Sequence, residues 1–150
     1  MDEFDRNILN LLQADNRLTQ DAIAERVGLS ASAVRRRIEK LRKDRVIIGD
    51  VSLVDPDRVG ITVITSVRFE REDRDAYKRF EELMMAASEV SQCYMVSGDV
   101  EFVLIAHMRD LAHYEEWMAS YLLDEPFIQR AHTNIVYKRV KYKTAVPVSK

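Results

Sequence analysis

The residues best equipped for chemistry lie close together. Between Ser30 and Arg45 the chain carries Arg35, Arg36, Arg37, Lys40, Arg42, Lys43 and Arg45 against Glu39 and Asp44, seven basic residues to two acidic, a local excess of +5. Cationic side chains at that density neutralise phosphates, and an arginine can also pair bidentately with guanine in a major groove. With Val34 set at zero and about 100° per residue, Ile38 and Leu41 fall beside it, while Ser32, Arg36, Glu39 and Lys43 fall opposite. One face is built to be locked into a core and the other to reach outward, which is what a recognition helix requires. From that placement Ser32, Ala33 and Arg36 are expected at base edges, and Arg35, Arg37, Lys40 and Lys43 mostly at the DNA backbone.

No comparable constellation marks a catalytic centre. His107, His113 and His132 are scattered, without HExxH or clustered metal-ligand spacing, so no metal site and no cofactor is expected. Cys93 is the single cysteine, which fits a reducing compartment and a small packing residue. Ser97-Gly98-Asp99 lacks a phosphate-loop pattern and reads as a hairpin turn, with Gly supplying an unusual backbone angle and Asp a local hydrogen bond.

These residues need elements to hold them. Among 150 residues, Lys+Arg 23 stand against Asp+Glu 25 for a net charge of -2, 47% are hydrophobic, and Gly 4 with Pro 3 leave little punctuation. That excludes a disordered, collagen-like or loop-dominated chain. No apolar run approaches the roughly 20 residues of a membrane span. The acidic start Met-Asp-Glu-Phe-Asp-Arg has no apolar stretch after it, so no signal peptide and a cytoplasmic location are expected.

The first 45 residues read as three helices. Phe4, Ile8, Leu11 and Leu12 make an apolar stripe on a helix of roughly residues 3 to 14. Thr19 is a plausible cap for a second helix carrying Ile23 and Val27, Gly28 stops it, and Ser30 caps the third. Val46 to Val54 reads as a short extended stretch leading to the Asp55-Pro56-Asp57 turn. Beyond Gly60, Ile61 to Phe69 alternates as a strand, and Tyr77, Phe80, Met84 and Ala87 recur at helical spacing. Val90 to Val96 and Val100 to His107 form a hairpin, Leu111, Tyr114, Met118 and Tyr121 another helix, and Ile128 to Tyr142 contains a long final strand. Tyr137 to Lys143 alternates basic with aromatic or apolar residues, as an exposed edge strand guarded by lysines would, the alternative being a nucleic-acid-binding stripe. The expected fold is α+β. An N-terminal helix-turn-helix domain, residues 1–50, and a linker, 51–60, precede a ferredoxin-like β-α-β-β-α-β domain, 61–150. The sheet face opposite its helices has no covering element, which predicts a two-fold dimer.

Several of these segments carry a family resemblance. DEFDRNILNLL at Asp2 to Leu12, Gly28-Leu29-Ser30 followed by Val34 and Arg37, then Leu41, Ile47 or Ile48 and Gly49, and finally Val96-Ser97-Gly98-Asp99 together resemble the Lrp/AsnC family of bacterial and archaeal transcription regulators. The resemblance covers essentially the whole chain, in the family's order and spacing. It implies a helix-turn-helix, a linking strand, a ligand-sensing domain, assembly as dimers and often tetramers, octamers or larger rings, and an amino acid or related metabolite bound between protomers. Double-stranded DNA, as a pseudo-palindromic operator, and this effector are the implied partners. Carried over by position, Gly98 and Gln129 match the family's effector-contacting turn and last-strand polar residue, with Met95, Asp99, Glu101 and Thr133 nearby. Two departures stand out. Glu101 occupies a place where Asp is common, a longer acid that would narrow the pocket or change which effector fits. Arg45 stands where glycine is frequent, which would alter the helix end and offer one more phosphate contact. Two rival readings are an enzyme of the same architecture, as in siroheme decarboxylases, and a ligand-binding assembly module without DNA binding.

Overall fold

Each of the three N-terminal helices begins on a side-chain cap. The computed structural model describes residues 1–148, and in it α1 (Glu3–Ala14) opens on Asp2. The Asp2 carboxylate accepts from the Asp5 N–H at 2.9 Å and the Asp5 carboxylate from the Asp2 N–H at 3.0 Å, a reciprocal capping box. α2 (Gln20–Val27) opens on Thr19 and α3 (Ala31–Lys43) on Ser30, each hydroxyl accepting a backbone N–H at 3.2 Å. Between them Gly28 is left-handed, with φ 71°, and the Leu29 N–H closes on the Ala24 carbonyl at 3.1 Å. A side chain at position 28 would be strained there, so glycine fixes the tight turn between α2 and α3. Ile8, Ile23, Ala24, Val34 and Ile38 make the core of this unit.

The end of α3 corrects one expectation. Arg45 does not alter it but adopts the left-handed conformation itself, with φ 56°, while the Val46 N–H reaches the Leu41 carbonyl at 2.9 Å. The helix end thus keeps the geometry of a glycine cap, at the steric cost of a Cβ.

The second half forms β1 (Ile61–Phe69), α4 (Arg74–Ala86), β2 (Val90–Met95), β3 (Phe102–Met108), α5 (Leu111–Met118) with a π-helical extension Ala119–Leu123, and β4 (Ile128–Val136). The strands are antiparallel in the order β2-β3-β1-β4, the expected ferredoxin-like arrangement. Alternation sends Val63, Val67, Phe69, Phe102 and Leu104 towards the helices, where they meet Phe80, Met84 and Trp117. Phe69 sits amid four rings, those of Tyr77, Phe80, Phe102 and Phe127, with centroids 5.1 to 5.6 Å away. Fully burying one such side chain contributes about 1.5–3 kcal/mol. The same alternation turns Ile64, Val103 and Ile105 to the opposite face, where each stays partly exposed.

Two segments read as extended form no strand. Residues 46–54 are irregular, with Ile48, Val51, Leu53 and Val54 exposed. A strand needs a hydrogen-bonded neighbour, and among the described residues none runs beside them. β4 likewise stops at Val136, which faces Thr62, because β1 begins only one residue earlier, at Ile61. Tyr137 to Lys143 therefore lies outside the sheet and guards no edge. The described residues pack as two compact units, one of Met1–Leu53 joined by residues 141–148, the other of Val54–Val140.

Candidate nucleic-acid interface and effector site

Three residues lock α3 and leave its other face to solvent. Val34, Ile38 and Leu41 are buried, while Ser32, Arg35, Arg36, Lys40 and Lys43 are exposed and Ala33 and Arg37 are half-buried. The cationic residues then divide by what they already hold. Arg35 pairs with Glu39 at 2.9 Å one turn along, and Arg42 with Asp50 at 2.8 Å. Arg37 turns towards α1. Its guanidinium donates to Asp2 and to Asp5, both at 2.7 Å, and lies 5.3 Å from the centre of the Phe4 ring. The Asp5 and Asp2 carboxylates raise its already high pKa, and Asp2 itself is held below the usual carboxylate range by the Asp5 N–H and then by Arg37. Arg36, Lys40 and Lys43 make no ion pair within the chain among the described residues. Leu29, Ala33, Arg36, Arg37 and Lys40 line an open depression of about 300 Å³. Apolar floor and cationic rim together suit a surface that reads base edges between phosphates.

The Arg37 arrangement was not visible in the charge pattern. Its signal was the Asp2-Asp5 spacing of a capping box, which places two carboxylates at one helix start. Asp2 and Asp5 thus tie the first turn of α1 to the outer helix.

At the other candidate site, Gly98 sits exposed at the tip of the loop between β2 and β3, with φ 138° and no atom within 4 Å of where a Cβ would be. That φ strains any other residue, and the open space leaves the backbone approachable. The Val96 N–H closes the loop on the Glu101 carbonyl at 2.9 Å, with Met95 and Asp99 exposed beside it. Glu101 is turned into the sheet. Its N–H donates to the Val67 carbonyl at 3.0 Å and its carboxylate accepts from the Phe69 N–H at 2.7 Å, bridging the irregularity where β1 meets β4. Phe69 faces Ile128, so the exposed Gln129, the second residue of β4, lies at this same end of the sheet. Thr133 stands apart, mid-sheet and half-buried, its hydroxyl 2.8 Å from that of Thr65.

The three histidines stay separate. His107 is 3.2 Å from the Thr62 hydroxyl through Nδ1 and 3.1 Å from the Ser91 hydroxyl through Nε2. Because Ser91 donates to the Ile105 carbonyl, it accepts from the ring, which fits a neutral imidazole protonated at Nε2. Burial, and then the charge of Arg139, hold this ring below the usual histidine range. His113 pairs with Glu89 at 3.1 Å, and the exposed His132 lies beside Asn134.

Comparison with known proteins places both halves. Residues 1–48 match the winged helix-turn-helix DNA-binding family, and residues 62–146 the Lrp/AsnC ligand binding domain. The chain is 39% identical over 150 residues to the HTH-type transcriptional regulator y4tD of Sinorhizobium fredii, covering 99% of this chain and 89% of that protein. It is 29% identical over 143 residues to the leucine-responsive regulatory protein of Escherichia coli, covering 94% and 87%. A transcriptional regulator of Neisseria meningitidis, solved as a complex with L-Met, superposes with a TM-score of 0.89 at 28% identity, covering 98% of this chain and 96% of that one.

Proposed function

The chain belongs to the Lrp/AsnC family of transcription regulators, and we propose that it reads a pseudo-palindromic operator through α3 and answers to an amino acid or related metabolite bound between protomers. One observation carries this reading: on a helix fixed by Val34, Ile38 and Leu41, the exposed Arg36, Lys40 and Lys43 are left without intramolecular partners among the described residues. In our reading Ser32, Ala33 and Arg36 meet bases, and Arg35, Lys40 and Lys43 meet phosphates. Arg37 serves the interface by holding α3 against Asp2 and Asp5. Residues 1–50 are the DNA-reading domain, 51–60 the linker and 61–150 the sensing and assembly domain.

The same reading makes the protein a regulator without catalytic activity, working in the cytoplasm as a homodimer or larger assembly. Ile64, Val103 and Ile105 support assembly through the open sheet face, because apolar side chains gathered there gain from burial. Effector contact is proposed at Gly98, Met95, Asp99 and Gln129. Glu101 shapes this site from behind by holding the loop to β1, and Thr133 does so from within the sheet. The L-Met of the Neisseria regulator and the leucine response of the Escherichia coli protein favour an apolar amino acid.

A thermal-shift screen of the twenty amino acids tests the sensing half. A ligand present at 100 times its Kd and bound only to folded protein stabilises it by about 2.7 kcal/mol. We expect L-leucine, L-methionine or a close apolar analogue to raise Tm in the wild type, and Gly98→Ala to remove the rise. No shift with any amino acid would contradict the proposed effector class.

A further inference from the structure

α1 holds a peptide as well as packing on its neighbours. The Gln13 side chain takes both backbone polar atoms of Val146, its Nε2 donating to the carbonyl at 3.0 Å and its Oε1 accepting from the N–H at 2.7 Å. A side-chain amide that satisfies N–H and C=O of one residue reads that residue's register, because both groups point the same way only in an extended conformation. The next residue is Pro147, which disfavours the helical region for Val146 and leaves it extended. Val146 is thus pre-shaped for the contact. Leu9, one turn before Gln13 on the same side of α1, is buried although it does not belong to the three-helix core cluster.

The path of the chain gives this contact a consequence. The polypeptide passes from one compact unit to the other twice, at Leu53–Val54 and again at Val140–Lys141. Just before the second passage, Arg139 donates to Asp55 at 3.3 Å and to Asp57 at 2.8 Å, the residues that follow the first passage. The two crossings are therefore fastened to each other within the Val54–Val140 unit. The seven residues from Arg139 to Val146 reach no more than about 25 Å.

We propose that the outer face of α1 is a docking surface for residues 141–148, and that this segment is a strap giving β4 a second connection to the DNA-reading unit. The strap is thus a second short tether along the chain, beside the linker. Displacement of β4 is carried through Arg139 and the strap to α1, whose Asp2 and Asp5 hold Arg37 of α3. The proposal rests on the regulatory reading above for its purpose, and on none of it for its test.

That test is limited trypsin proteolysis of the full chain at Arg45, ahead of the linker, and at Arg58, within it. Gln13→Ala removes the side-chain partner, and Val146→Pro removes the backbone donor while leaving α1 intact. An exposed pair of amide hydrogen bonds shifts an opening equilibrium by roughly fivefold, so each variant should be cut about that much faster. The double variant should be cut no faster than either single one, because both remove the same contact. Unchanged cleavage in both singles, or multiplying effects in the double, would overturn the strap. Operator affinity without effector should stay within about twofold of wild type in both variants, since neither touches the outer face of α3. A wild type that binds no DNA yet shows the expected proteolysis would overturn the regulatory reading and leave the strap standing. Where L-leucine or L-methionine alters wild-type operator affinity, faster cleavage with a fully kept response would overturn the strap's part in signalling.

Discussion

Arginines of one sequence run have three different surroundings: Arg35 pairs with Glu39, Arg37 with Asp2 and Asp5, and Arg36 is exposed without an ion pair among the described residues. Helical spacing alone separated Arg36, on the outermost line of α3, from the buried stripe, and that much was legible because 100° per residue is a property of any helix. It did not separate Arg37 from its neighbours, since the partners Asp2 and Asp5 lie more than thirty positions away in sequence and meet it only through packing of α1 on α3. Glu101 shows the same limit. Its family position marks it as a pocket residue, and the bond that one oxygen of its carboxylate accepts from the Phe69 N–H was not legible in the sequence. Among the cations that remain unpaired, position on the helix decides the kind of contact. Arg36→Ala should cost about 1–3 kcal/mol at one base pair and relax preference there. Lys43→Ala should weaken binding to all sequences and lower the salt slope by about one. Mobility-shift titrations on matched and mismatched duplexes between 50 and 200 mM salt distinguish the two, with magnitudes of the order expected for single phosphate contacts. Equal loss on every duplex for Arg36→Ala would remove that residue from the bases.

Elements were read well where the chain supplies its own partners. The first helix announces itself by its apolar stripe and the next two by their caps, the first strand by alternation and the next two as a hairpin, and each strand finds a neighbour within residues 61–136. Apolar alternation failed at residues 46–54 and 137–142, where the composition suits a strand but no second strand completes the ladder. Helix ends were legible to the residue at Gly28 but not at Arg45, whose side chain argues against the left-handed turn that the Val46 to Leu41 bond imposes. A non-glycine residue in that region is strained by about 1–2 kcal/mol, partly offset by the greater freedom glycine has when unfolded. Arg45→Gly should therefore stabilise the helix-turn-helix unit by about 0.5–1 kcal/mol, raising Tm by one to a few degrees. Calorimetry checks the stability, and a lower Tm would show that Arg45 gives more through its side chain than its backbone costs.

Across the whole molecule the charge of -2 is an average over unlike parts. Residues 30–45 carry +5, while residues 61–150 hold twelve basic and fourteen acidic groups. A basic reading surface and a mildly acidic sensing half are joined in one chain, so net charge says nothing against nucleic-acid binding. Linkage supplies the remaining constraint, because an effector can change operator affinity only as far as the operator changes effector affinity. If two copies bind as a two-fold dimer, their half-sites lie about one helical turn, 34–36 Å, apart. The most direct measurement is fluorescence anisotropy on an operator fragment selected from random duplexes, titrated with wild-type protein with and without L-leucine or L-methionine. Paired half-sites one turn apart, affinity that falls steeply with salt, and a shift of that affinity by at least one of the two amino acids are expected. Binding that ignores salt, or selection that returns no common sequence, would contradict that expectation.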